Sequence, residues 1–175
     1  MNQSALVAVV PEAEPLVDEL RSRFDPSALV GVPAHITVLF PFMPVELLTT
    51  DVFGQLGTVV GSFVEFEFRL ERIGRFPQTT YLAPEPPEPF AEMTAALGRV
   101  FPDYPPYGGR FSQSIPHLTV ADQNEESAEV AARELAEVFG RKGGVGATCR
   151  SVMLLENSQG GRWRDYDSFA LKRRA

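Results

Sequence analysis

Apolar residues recur along this chain with two periods, and the switches between them outline its elements. Residues 4–10 (SALVAVV) form a short, unbroken apolar and β-branched run, which predicts a buried strand. Pro11-Glu12-Ala13-Glu14-Pro15 breaks that run and supplies the proline and acids of a helical first turn. Leu16, Val17, Leu20 and Phe24 then follow at helical spacing as far as Asp25-Pro26. A Gly/Pro loop leads to a strand from Ala34 to Phe40, closed by Pro41-Phe42-Met43-Pro44. Leu48, Val52 and Leu56 put one apolar face on a helix from Val45 to about Gly57. Residues 63–70 (FVEFEFRL) alternate apolar and charged, as a strand with one wet face does.

The pattern then restarts. Thr80 to Glu85 predicts a strand, Pro89-Phe90 opens a helix carrying Phe90, Met93, Leu97 and Phe101, and a Pro/Gly/Tyr loop covers 102–109. A strand from Ser114 to Ala121 follows. Asn124 caps a helix with Ala128, Ala131, Leu135 and Val138 on its buried stripe and Gly140 as its stop. Gly143-Gly144-Val145-Gly146 lacks the Lys-Ser/Thr of a phosphate loop and reads as a flexible turn. Thr148 to Glu156 and Trp163 to Leu171 predict paired strands around a turn at 158–161. Each half thus runs strand, helix, strand, helix, strand. VVPEAEPLVDEL (9–20) also matches LAPEPPEPFAEM (82–93): a strand ends in Pro-Glu, and Glu-Pro-apolar then enters a helix. The expected fold is α+β, a tandem duplication of a β-α-β-α-β unit in two pseudo-symmetric lobes. Antiparallel sheets would surround a central groove, with the second strand of each unit facing the other across it. Neither half has enough apolar faces to close a core alone, so residues 1–175 read as a single domain. Its halves span roughly 1–78 and 79–175.

Composition narrows the class. With 44% hydrophobic and 22% charged residues, the chain reads as a soluble globular protein. It has no apolar run of the ~20 residues a membrane span requires. The first residues carry no basic segment ahead of their short apolar stretch, so no signal peptide is expected. A single cysteine, Cys149, excludes an intramolecular disulfide and fits a reducing cytoplasm. Residues 1–140 hold 8 basic and 20 acidic side chains, against 8 and 3 in residues 141–175. An acidic body disfavours tight nonspecific binding of long nucleic acids, leaving room for a short phosphate-bearing ligand.

The chemistry lies in two copies of one tetrapeptide, His35-Ile36-Thr37-Val38 and His117-Leu118-Thr119-Val120, which contain both histidines of the chain. In a strand, His and Thr point to one face and the apolar pair to the other. Each copy can therefore anchor in a core while offering an imidazole and a hydroxyl side by side. Two such faces brought together would present two proton-transfer groups and two hydroxyl donors around one small ligand. One Cys and two distant His give no compact zinc spacing, and no metal is expected.

A duplicated α+β chain with one His-x-Thr motif per half resembles the 2H phosphoesterase superfamily. VPAHITVLFPF (32–42), TTYLAPEP (79–86), IPHLTVAD (115–122) and GGRW followed by SFAL (160–171) are similar to its bacterial 2′-5′ RNA ligase-like branch. The resemblance implies a metal-independent phosphoesterase opening 2′,3′-cyclic phosphates of nucleotides or short RNA ends, with reversible 2′-5′ RNA ligation. It implies His35 and His117 as the acid/base pair, with Thr37 and Thr119 on the non-bridging phosphate oxygens, and no cofactor. It also assigns the base to His117 and the acid to His35, which the residues alone leave open. Val follows each Thr where the family often has Leu, a change confined to the core-facing side. Arg110, Tyr81, Phe42 and Trp163 are candidates to bind the rest of a nucleotide: Arg110 to steer phosphate, Trp163 to stack a base, Tyr81 and Phe42 to line the pocket. The expected partner is a nucleotide or short RNA end, held by a monomer in the cytoplasm. The competing reading is a non-catalytic nucleotide-binding module that uses the same groove.

Overall fold

The computed structural model describes residues 2–110, 114–157 and 161–175. The turn expected at 158–161 falls outside them except for Gly161. The elements are β1 (Ser4–Val9), α1 (Glu14–Phe24), α2 (Pro26–Leu29), β2 (His35–Leu39), α3 (Thr50–Gly61), β3 (Phe66–Phe76) and β4 (Thr79–Glu85). They continue with α4 (Glu88–Val100), β5 (Leu118–Asp122), α5 (Glu125–Lys142), β6 (Val145–Cys149), β7 (Ser151–Asn157) and β8 (Trp163–Ala170). The fold is α+β, and among the described residues the eight strands form one antiparallel sheet of order β6-β3-β4-β5-β2-β1-β7-β8.

That order places a pseudo-twofold between β5 and β2. On one side lie β2-β1-β7-β8 and on the other β5-β4-β3-β6. The lobes are therefore not the sequence halves: β3, from the first half, pairs with β4 and β6 of the second, while β7 and β8 extend the first. The two motif strands do not oppose one another across a groove. They are hydrogen-bonded neighbours joined at Ile36 and Leu118. Between Cys149 and Ser151 only Arg150 intervenes, yet β6 and β7 stand six strand intervals apart in the sheet. Laid flat, six intervals measure roughly 29 Å, and two peptide steps reach only about 7 Å. The sheet must curl until its ends meet, and Glu65 N–H to Lys172 O and Lys172 N–H to Phe63 O fasten the segment before β3 to the residue after β8.

Strand alternation divides the side chains between two faces. Leu6 and Ala8 of β1 join the main core with Ile36, Val38, Leu118 and Val120, over which the helices pack. Ala5 and Val7 face the other way, onto a small cluster with Val32 and Leu155. Helix α1 packs on β5 and α4 on β2, so each lies beneath the motif strand of the other half. Several limits differ from expectation: β3 covers Phe66–Phe76 rather than 63–70, β5 starts at Leu118 rather than Ser114, and the single strand expected over Thr148 to Glu156 is divided between β6 and β7. Helix α3 starts at Thr50 because the Thr49 hydroxyl accepts from Val52 N–H, and Val45–Leu47 form one 3₁₀ turn before it. Helix α5 passes through Gly140 and stops at Gly143, whose φ of 72° ends the helical path. Val145 and Gly146 belong to β6 rather than to a flexible turn, paired with Leu70 and Arg69.

Candidate active site

Alternation on β2 buries Ile36 and Val38 and leaves His35 and Thr37 half-buried; on the second motif Leu118 and Val120 are buried, and His117 and Thr119 half-buried. Ile36 pairs with Leu118 in antiparallel register. One residue either side, that register sets His35 opposite Thr119 and Thr37 opposite His117, on the same face. All four side chains line one cavity of about 490 Å³. Its far wall is apolar, with Val7, Phe40, Leu155 and Trp163, and the Phe40 and Trp163 rings meet edge-on at 6.0 Å.

Each imidazole is held the same way. His35 Nδ1 lies 2.8 Å from the Pro33 carbonyl and His117 Nδ1 2.7 Å from the Ile115 carbonyl. A carbonyl only accepts, so Nδ1 carries the proton and Nε2 is left as the nitrogen available to a ligand. Burial pushes the His35 imidazole down to about 4. The Pro33 carbonyl and Asp25 pull it back up in part, while Arg21 and a charge on His117 press it lower. His117 is lowered too, by burial, against the Ile115 carbonyl and Asp122. Both rings are therefore neutral near pH 7 until an anion arrives between them.

The support beneath His35 is a buried ion-pair network. Arg21, at 3% exposure, donates from Nε to Asp25 at 3.0 Å and from Nη2 to the Val32 carbonyl at 3.0 Å. Asp25 in turn accepts from the Ser27 amide at 3.0 Å and its hydroxyl at 2.7 Å. Glu14 accepts from the Ala34 amide at 2.6 Å. Both residues flanking Pro33 are thus tied down, which fixes the carbonyl that orients His35. Asp25 and Ser27 also line the cavity. Nothing in the sequence marks them, because an Arg-x-x-x-Asp spacing is usual on solvated helix faces.

The other candidates separate. Trp163 lines the cavity. Tyr81 packs on His117 at 5.3 Å and on Phe76 at 4.5 Å, and Phe76 meets His117 edge-on at 5.4 Å. Phe42 is 3% exposed and packs against Phe101 and Tyr104, so it belongs to the core and does not reach a ligand. Arg110 lines a neighbouring pocket with Phe40 and Gln3 rather than the cavity of the imidazoles. Tyr107, read only as part of a loop, lines that cavity and hydrogen-bonds Thr37 through its hydroxyl. Cys149 is buried, which pushes its thiol up to about 12 and removes it as a nucleophile at neutral pH.

The Tyr81 ring lies over Gly74, where a Cβ would stand 2.3 Å from ring atoms. Gly74→Ala should displace that ring from its place beside His117. The expected result is a shift of the His117 imidazole resonances and titration by NMR, with those of His35 unmoved. An unchanged His117 titration would show that Tyr81 does not shape its surroundings.

Among the described residues no group of three or more His, Cys, Asp or Glu is placed to hold a metal ion, and no helix is long and apolar enough to cross a membrane. The model of the 2′-5′ RNA ligase superfamily matches residues 9–161. A proposed phosphoesterase of Bacillus cereus (strain G9842) is 26% identical over 159 residues, spanning 87% of this chain and 86% of its own. Among solved structures, the protein TT0787 of Thermus thermophilus superposes with a TM-score of 0.65 at 17% identity, covering 99% of this chain and 100% of its own. E. coli LigT complexed with 3′-AMP gives 0.62 at 16% identity, covering 97% of this chain and 98% of its own. LigT complexed with NADP+ gives 0.60 at 16%, covering 98% of each. These likenesses show a shared fold.

Proposed function

This chain belongs to the 2′-5′ RNA ligase superfamily, and from that premise we propose that it opens 2′,3′-cyclic phosphates of nucleotides or short RNA ends by two-histidine acid/base catalysis. One observation carries the reading: both His-x-Thr pairs line a single cavity, each ring with Nδ1 on a carbonyl. In-line attack needs a base on one side of phosphorus and an acid on the other. His117 takes the proton of the attacking water; His35 delivers one to the departing ribose oxygen. The bond from water oxygen to phosphorus forms as the cyclic P–O bond breaks, leaving a phosphomonoester. The charge of the bound phosphate raises both imidazoles from their lowered state, so the acid is protonated when substrate is present.

Thr37 and Thr119 donate to the equatorial oxygens, where charge accumulates in the transition state; one such donor is typically worth about 3–4 kcal/mol. No lysine or arginine lines the cavity among the described residues, which suits a singly charged diester better than a dianionic monoester. The apolar wall with Phe40 and Trp163 can receive a nucleobase. With a 5′-hydroxyl in place of water, the same groups join a cyclic end to it: His117 takes the hydroxyl proton, the new O–P bond forms, and the cyclic P–O bond breaks with a proton from His35. Cellular setting is part of the proposal: a monomer acting in the cytoplasm on short substrates.

Hydrolysis of 2′,3′-cyclic AMP should proceed in EDTA with a bell-shaped pH dependence. Because both free imidazoles are lowered, the kcat/KM optimum lies below pH 6.5. The kcat optimum lies higher, since bound phosphate raises both groups. A rate abolished by EDTA and restored by a divalent cation would sink the two-histidine mechanism. Binding of the nucleotide with no product after long incubation would leave only a binding module.

A further inference from the structure

Tyr107 sits where a side chain is costly. Its φ is 52°, in the left-handed region that favours glycine, and two glycines, Gly108 and Gly109, follow it with positive φ. Strain of this kind persists only when surrounding contacts hold it, and it concentrates at functional sites. Two of the contacts that hold it lie on the first motif segment. The Tyr107 amide donates to the Phe40 carbonyl at 2.6 Å, and the Tyr107 hydroxyl meets the Thr37 hydroxyl. The ring also borders the catalytic cavity, the Arg110 pocket and the pocket beside Phe76 and Pro77.

We propose that Tyr107 is a positioning residue that orients the Thr37 hydroxyl toward the phosphate, and that its strained backbone is retained to deliver this contact. The assignment rests on the phosphoesterase reading above. A threonine hydroxyl has one proton and a free rotor. When Tyr107 donates to Thr37 Oγ1, that rotor is fixed and the Thr37 proton is left for a phosphate oxygen. Donation into the same oxygen also polarises the Thr37 O–H, strengthening it as a donor as charge develops. Burial raises the Tyr107 phenol, so it keeps its proton throughout the working pH range. Thr119 has no such hydroxyl partner among the described residues, which makes the two halves of the site unequal.

The test is a double-substitution cycle on 2′,3′-cyclic AMP hydrolysis with Tyr107→Phe and Thr37→Val. Tyr107→Phe keeps the ring and the loop; kcat should fall about tenfold or more while KM changes little, because the contact matters most in the transition state. Placed on Thr37→Val, it should add no further loss. Tyr107→Gly, which relieves the positive φ, should melt no lower than the wild type yet lose at least as much rate. Full activity in Tyr107→Phe or Tyr107→Gly, or independent losses in the cycle, would overturn the assignment while leaving the phosphoesterase reading intact. A wild type that leaves the cyclic phosphate untouched would overturn that reading, and this assignment with it.

Discussion

Hydrolysis of a 2′,3′-cyclic nucleotide is expected to fall by about 10²–10⁴-fold when either His35 or His117 becomes alanine, the usual range for losing a positioned acid or base. The fold should survive. Each ring is half-buried, and its one hydrogen bond among the described residues is a local contact with the carbonyl two residues earlier. The apolar residues that anchor each motif strand are untouched. The two losses should not multiply in the double variant, because removing either end of the proton relay already stops in-line transfer. Steady-state rates with thermal melting on the same preparations check this. Activity that persists in either single variant, with melting unchanged, would mean the rings line the cavity without serving the reaction.

Asp25→Ala is expected to cost about 3–5 kcal/mol of stability, the usual penalty for leaving one member of a buried pair uncompensated. Arg21 would lose its 2.9 Å ion pair, keeping the Val32 carbonyl, the Ser27 hydroxyl oxygen at 3.4 Å and a distant Glu14 at 4.0 Å. The Ser27 amide and hydroxyl would lose their acceptor as well. For a chain of this length that corresponds to a melting point lower by roughly 10 °C or more. Activity should fall beyond what unfolding explains, since the segment leading to Pro33 is held by this network and Pro33 holds His35. Urea unfolding monitored by Trp163 fluorescence measures the first effect. A midpoint within experimental scatter of the wild type would show that water enters and solvates the guanidinium.

Local periodicity made much of this fold readable. Residues of β1, α1, β2 and α4 carry strong patterns bounded by prolines, and their limits match expectation within about two residues. His-x-Thr placed the imidazole and hydroxyl on one strand face because the period of two is a matter of covalent geometry. What could not be read is which strand pairs with which. The alternating stretch of β3 shows a wet face but not that its neighbours come from the other half. The Pro-Glu match between segments 9–20 and 82–93 illustrates the limit. Sheet register makes Ala8 the counterpart of Leu82, both next to the residues that join the two motif strands. Pro84 then lies inside β4, whereas Pro11 begins a turn beyond β1, so the aligned prolines hold different places. Glu14-Pro15 and Glu88-Pro89, by contrast, do open corresponding helices. Arg21 and Tyr107 were unreadable for a related reason. Their spacing is ordinary, and only tertiary burial gives them partners.

The exchange of outer strands ties the fates of the two motifs together. The first half takes β7 and β8 from the second, and the second takes β3 from the first, so an inserted or deleted residue in β3 is felt on the wall that carries His117, although it arises in the stretch of chain that encodes His35. Neither motif can drift on its own, and the spacing between the imidazoles is a property of the whole ladder rather than of either copy.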